Sequence, residues 1–187
     1  FYGVDGIWIT LFTMSYMIMF VIFSIPASWV IDRYGYRCSL IFGAVLTAVF
    51  GLTRAFFAGS FPMVIVSQFL IAMGQPFLLN ISTKVPANWF PIDERATAAG
   101  ILTMAQYVGF ALPMVIAPVV AETSGLPAVM MIFAVIAVLS AVVSILFTRE
   151  KPAVPPPGPK SEKEDFSVAS MRKLFSNRAY LLALLIC

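Results

Sequence analysis

Ser28-Trp29-Val30-Ile31-Asp32-Arg33-Tyr34-Gly35-Tyr36-Arg37 is the stretch on which the fold turns. An apolar segment runs into an acid and a base, meets a glycine free to take positive φ, and adds one more cation before the chain becomes apolar again. That is the punctuation of a short turn between two helices. The apolar runs on either side are each long enough for a helix to cross hydrocarbon, which takes about 20 residues. Read locally, the segment is a charged hairpin turn anchoring two membrane spans.

Cutting the rest of the chain at charges and turn residues gives spans at 7–31, 38–57, 61–83, 96–121 and 127–148, with an apolar stub at 179–187 too short to cross. The composition agrees: of 187 residues 60% are hydrophobic and 11% charged, with a mean hydropathy of +0.94. A soluble domain is about 45–50% apolar and about 25% charged, so this chain has too little polar material to cover a water-exposed surface. The first span begins almost at Phe1 and the last stops inside an apolar run, so the chain reads as a fragment of a longer protein. The absence of His removes the commonest general base and metal ligand. Cys38 and Cys187 have no ligand-like spacing, so neither a zinc site nor a disulfide framework is indicated and no cofactor is expected. The net charge of +3 is what cytoplasmic loops of a membrane protein collect, and it gives no reason to expect a nucleic-acid partner.

Eleven of the twelve basic residues fall in alternate connections, 32–37, 84–95 and 149–178, which the positive-inside rule places in the cytoplasm. Arg54 alone lies near the other face, where the connections 58–60 and 122–126 contain no basic residue. The chain therefore divides into a helical bundle (1–148), a cytoplasmic linker (149–178) and the start of another span (179–187). The linker opens with Pro152, Pro155, Pro156, Pro157 and Pro159, which favour an extended polyproline segment, and continues through the charged 160–165. In 166–178, Phe166, Val168, Met171, Leu174 and Phe175 share a face opposite Arg172 and Lys173. This fits a helix lying on the membrane surface or the ordinary start of the next span.

A second informative string is Trp89-Phe90-Pro91 followed by Asp93-Glu94-Arg95-Ala96-Thr97-Ala98. Trp89 and Phe90 suit the lipid–water interface, Pro91 a first helical turn, and Asp93 and Glu94 the positive end of a helix, so helix initiation alone accounts for it. Taken together, 28–37 resembles the loop signature between the second and third helices of the major facilitator superfamily, a glycine followed by Asp-Arg-x-Gly-Arg-Arg. Ser28 stands for the first glycine and Tyr36 for a basic residue. The Trp89 string is similar to the loop between that superfamily's fourth and fifth helices. The resemblance covers essentially the whole chain. It implies an all-α polytopic membrane helical bundle of the major facilitator type: the N-terminal half, from the second helix to the beginning of the seventh, without the first helix or the C-terminal half.

By the same resemblance, Asp32, Arg33, Gly35, Arg37, Glu94 and Arg95 form a conformational latch between halves, with Asp32 accepting hydrogen bonds from a helix N-terminus of the missing half. Gly74-Gln75-Pro76-Phe77, Ser82-Thr83-Lys84 and the stretch from Thr103-Met104 to Gly109 resemble the branch related to the feline leukemia virus subgroup C receptor. Members of that branch are implicated in haem or choline movement, but the solute itself is not transferable from these motifs.

A charge at mid-membrane costs about 2.5–3.5 kcal/mol on insertion scales, and the spans are nearly free of charge. Arg54 and Glu122 lie close enough to the far interface to snorkel. Tyr16, Gln68, Gln75, Asn80, Gln106 and Tyr107 are the polar residues within the spans. Each either joins two helices or meets a solute, and an interhelical hydrogen bond is worth only about 0.6 kcal/mol on average. Gln75 and Asn80 in the span corresponding to the fourth helix, and Gln106 and Tyr107 in the fifth, are the expected substrate contacts. Gln68 stands near a position where many relatives carry a membrane arginine, a departure that argues against an arginine-dependent mechanism. Pro26, Pro76, Pro113 and Pro118 can loosen helices, Pro76 beside Gln75 being the best placed to expose carbonyls to solute. Gly43, Gly51, Gly74, Gly100 and Gly109 permit close helix approach.

The expected function is secondary transport of a small organic solute by alternating access, with the solute, the lipid bilayer and the missing C-terminal half as partners. A membrane-embedded receptor or scaffold is the alternative. An intramembrane enzyme would need paired carboxylates, a metal cluster or an activated nucleophile, and the spans offer no catalytic or metal residues.

Overall fold

Single glycines decide where two pairs of membrane helices reverse. A computed structural model describes residues 5–150, in which α1 (Gly6–Tyr34), α2 (Tyr36–Phe56), α3 (Phe61–Leu79), α4 (Ile81–Trp89) and α5 (Ile92–Phe147) follow one another. No strand occurs among the described residues. Only Gly35 separates α1 from α2, at φ 89° and ψ 162°, and Gly125 interrupts α5 with nearly the same angles, 81° and 167°. An L-residue with a Cβ pays about 1–2 kcal/mol for left-handed φ, so glycine is the residue these corners require. Trp89, just before α5, and Arg149, just after it, both reach the Tyr36 hydroxyl; the two ends of α5 therefore lie together, and the chain doubles back at Gly125. The arms 92–124 and 126–147 are thus two spans, and the described residues form an all-α bundle of five.

α2 lies at the centre, packed on α1, α3, α4 and α5. Its buried stripe of Ser39, Gly43, Ala44, Ala48, Gly51 and Ala55 shows why. Hydrocarbon gives helices little hydrophobic reason to associate, so close van der Waals contact between small residues must do it. A Cβ on Gly43 would sit 2.9 Å from the Gly74 carbonyl oxygen and 2.8 Å from Leu78 Cγ, which puts the backbones of α2 and α3 in direct contact. Gly51 faces Ala134 of the second α5 arm. Around these contacts sit three apolar clusters: Ala55, Ala58, Val64, Met130 and Ala134 towards one end; Ala44, Ala48 and Ala141 in the middle; Ile31, Tyr36 and Ile81 towards the other.

Two expectations need correction. The connection 84–95 is mostly helical: α3 stops at Leu79, Asn80 forms a break, and α4 carries the chain on to Trp89, leaving only Phe90 and Pro91 outside a helix. A charge such as Lys84 does not end a helix by itself, and α4 keeps partners on α1 and α2 through Lys84 and Trp89. Gly100 and Gly109 meet nothing within 4 Å, so they do not serve helix approach among the described residues. They lie on the 92–124 arm, where Ala98 is the only buried residue and Met104 and Met114 are 72% and 76% exposed. The linker beyond Glu150, the 166–178 segment and the 179–187 stub fall outside the described residues.

Candidate functional site

The polar groups gather at the end of the bundle that holds the charged turns. Asn80 occupies the break between α3 and α4, its backbone N–H donating to the Pro76 carbonyl at 3.1 Å. Its side-chain amide crosses to α1, donating to the Ser24 carbonyl at 3.1 Å, the Ser28 hydroxyl at 3.1 Å and the Ser24 hydroxyl at 3.4 Å. An amide bonded this often to a neighbouring helix satisfies its own need for partners. It also borders an open cleft of about 250 Å³ lined by Ser28, Ile31, Leu79, Asn80, Ser82 and Lys84. Gln75 lies half-buried on α3, five residues before Asn80. Pro76 beside it is fully buried, with Phe77 stacked edge-on against Phe42 at 4.8 Å, so Pro76 is a packing residue rather than one facing a cavity. Gln106 and Tyr107 stand apart on the 92–124 arm, Tyr107 66% exposed, and neither hydrogen-bonds to α3 among the described residues. The four expected solute contacts are therefore not assembled into one site by these helices alone.

Asp32 pairs with Lys84 of α4 at 2.6 Å, the two side chains 28% and 48% exposed. The Asp32 carboxylate that was expected to reach the missing half thus has a partner within this one. Arg33 folds back over the rings of Trp29 and Tyr34, 5.3 and 5.9 Å from their centroids, a cation–π arrangement on the exposed face of α1. Arg37 contributes its backbone N–H, which donates to Glu150 Oε2 at 2.8 Å, while the N–H of Tyr36 donates to Glu150 Oε1 at 3.1 Å. The Tyr36 hydroxyl donates to the Arg149 carbonyl and accepts from Trp89 Nε1. Arg95 Nε turns back on the Phe90 carbonyl at 3.1 Å, and Glu94 stays exposed; neither bonds to the 32–37 turn. Lys84, Trp89, Tyr36 and Glu150 are thus functional candidates that motif reading passed over. Trp89, Lys84 and Tyr36 belonged to quoted strings, but Glu150 lies 114 residues from Tyr36, and no spacing rule connects positions so far apart.

At the other end of the bundle, Arg54, expected to snorkel, has one guanidinium nitrogen turned toward α3. Its Nη1 donates to Gln68 Oε1 at 2.9 Å, seven residues into α3. Gln68 also lines a small cavity of about 80 Å³ with Trp8, Leu11, Phe12, Ser15, Ile65 and Phe69. A guanidinium therefore does reach the Gln68 position, supplied by the neighbouring helix.

Five apolar spans, a small-residue core and turns tied together at one end by hydrogen bonds and an ion pair define a polytopic helical membrane protein. The chain belongs to the Major Facilitator Superfamily, whose family model matches residues 2–187. It is similar to solute carrier family 49 member A3 of Danio rerio, 31% identical over 185 residues covering 92% of this chain and 39% of that protein. It is also similar to the choline/ethanolamine transporter flvcr2b of Danio rerio (28% identical, 97% of this chain, 41% of the relative). The human choline/ethanolamine transporter FLVCR2 is 25% identical over 97% of this chain and 38% of its own length. These relatives bear out the expected kinship with the FLVCR branch. The chain spans about two fifths of the length of each of these relatives.

Proposed function

We propose that the protein to which this chain belongs is a secondary transporter that moves a small organic solute across the cell membrane by alternating access. In this reading the described residues lie in its N-terminal half, with 32–37, 84–95 and 149–178 cytoplasmic. The observation that carries the reading is the short path from Asn80 to the contacts of Lys84 and Trp89 with the α1–α2 turn. From Asn80, bonded to α1 at the α3–α4 break, it is four residues along α4 to Lys84 and its ion pair with Asp32, and nine to Trp89 and its bond to Tyr36. A tilt of α3 against α1 at Asn80 is felt directly by the groups that would meet the opposite half. Gln75 and Asn80 then serve as solute contacts from this half, joined by Gln106 and Tyr107 when the remaining helices close the cavity. Asp32, Arg33, Gly35, Arg37, Glu94 and Arg95 form the latch region. The amino alcohols named for the FLVCR relatives are the first solutes to test.

The experiment is uptake of radiolabelled choline and ethanolamine by the full-length protein in proteoliposomes. Gln75→Ala and Asn80→Ala should each lower uptake by about tenfold, the equivalent of about 1.4 kcal/mol of lost binding. Wild-type protein that binds solute but carries none across the bilayer would favour a membrane-embedded receptor instead.

A further inference from the structure

We propose that Glu150 is a positioning residue for the cytoplasmic latch: its carboxylate holds the first two amides of α2 and thereby fixes the one-glycine turn that carries Asp32, Arg33 and Arg37. The inference rests on the transport reading above and adds to it a residue and a mechanism. A helix leaves its first N–H groups without intrahelical partners, and an anion near them is favoured both by hydrogen bonding and by the helix dipole. Gly35, the cap residue of α2, has no side chain to supply the acceptor. Glu150 supplies it from 114 residues along the chain, one carboxylate oxygen to the N–H of Tyr36 and the other to that of Arg37. Among the described residues no cationic side chain lies within ion-pair distance of Glu150, so its charge is met by amides.

Gly35 is needed here twice. Its φ of 89° suits glycine, and a Cβ built on it would lie 2.5 Å from Glu150 Cδ and 2.8 Å from Oε2, inside the carboxyl group. The seat for the carboxylate is the missing side chain. A second fastening lies one residue away: Tyr36, 3% exposed, bonds through its hydroxyl to the Arg149 carbonyl and to Trp89. Arg149 and Glu150 are thus held at two points against the first residue of α2. The turn between α1 and α2 cannot rotate without giving up the carboxylate, and it is this turn that would present Asp32 and its neighbours to the other half.

The test uses the full-length protein in proteoliposomes. Glu150→Gln keeps the size of the side chain but removes the charge and turns one acceptor into a donor facing the amides. Loss of a charge-assisted cap should raise the reaction rate of Cys38 with a membrane-impermeant maleimide by about fivefold and lower maximal flux by about tenfold, with KM within about twofold of wild type. Cys38 is exposed in the first turn of α2, and labelling is read on its own peptide by mass spectrometry. A purely structural role would lower the amount of folded protein without changing Cys38 reactivity in the folded fraction. Gly35→Ala should reproduce the effect, and the double variant should be no worse than the worse single one, since both remove the same contact. Cys38 reactivity and flux of Glu150→Gln within about twofold of wild type would overturn the proposal whether or not Gly35→Ala folds. If the wild-type protein carries no solute, the transport reading fails instead; Cys38 reactivity then still decides whether Glu150 holds the turn.

Discussion

Tyr36 does more at its end of the bundle than the charged residues around it. Its hydroxyl both donates and accepts, joining the end of α4 to the end of α5 in a buried position. The Asp32–Lys84 ion pair is shorter to describe but half in solvent, and exposed pairs are worth about 0.2–1 kcal/mol. Removing the Tyr36 hydroxyl gives up two hydrogen bonds at once, each worth about 0.5–1.5 kcal/mol. Tyr36→Phe should therefore lower the unfolding temperature of the detergent-purified protein clearly more than Lys84→Met, as followed by tryptophan fluorescence. The reverse order would mean that the ion pair, not the phenol, holds α4 in place. Arg54 teaches the same lesson at the opposite end: its charge suggested the interface, but its hydrogen bond to Gln68 draws it inward.

Among the helices, glycine means different things in different places. Gly43 and Gly74 let the backbones of α2 and α3 touch, whereas Gly100 faces open space. Gly43→Val would force those helices apart and should cost about 2–4 kcal/mol, the range for overpacking a close approach together with the looser fit of the side chains around it. Gly100→Ala adds a methyl where nothing is met and exchanges glycine for the best helix former, so it should be neutral or stabilising by up to about 1 kcal/mol. Thermal unfolding in detergent checks both, and equal loss from the two would refute the packing assigned to α2 and α3. The α3–α4 break belongs with this contrast: the span was expected to end before Lys84, yet the helix resumes at Ile81 because Asn80, Lys84 and Trp89 each find a partner on α1 or α2.

For the whole molecule, sidedness is the property everything else depends on. The turn at Gly35, the end of α4 and the residues after α5 meet at one end, while Arg54 and Gly125 belong to the other. In sealed inside-out vesicles an impermeant thiol reagent should label Cys38 and leave a Glu122→Cys variant unlabelled, and in right-side-out vesicles the order should reverse. Labelling of both from one side would deny the reversal at Gly125.

Much of this was legible in the residues themselves. Hydrocarbon admits only long apolar helices with satisfied backbones, so five spans, their order and their common charged side could be read from where charge and glycine interrupt apolar runs. Asp32 and Trp89 were expected on one face of the membrane, and they lie at the same end of the bundle, Asp32 paired with Lys84 and Trp89 bonded to Tyr36. What depended on the tertiary structure was which groups touch: the Asn80 amide on Ser24 and Ser28, Arg54 on Gln68, and above all Glu150 on the amides of Tyr36 and Arg37. Solvent preference is a property of each residue and can be summed along a chain. A hydrogen bond across 114 residues exists only once packed helices bring its two ends together, and no local pattern records it.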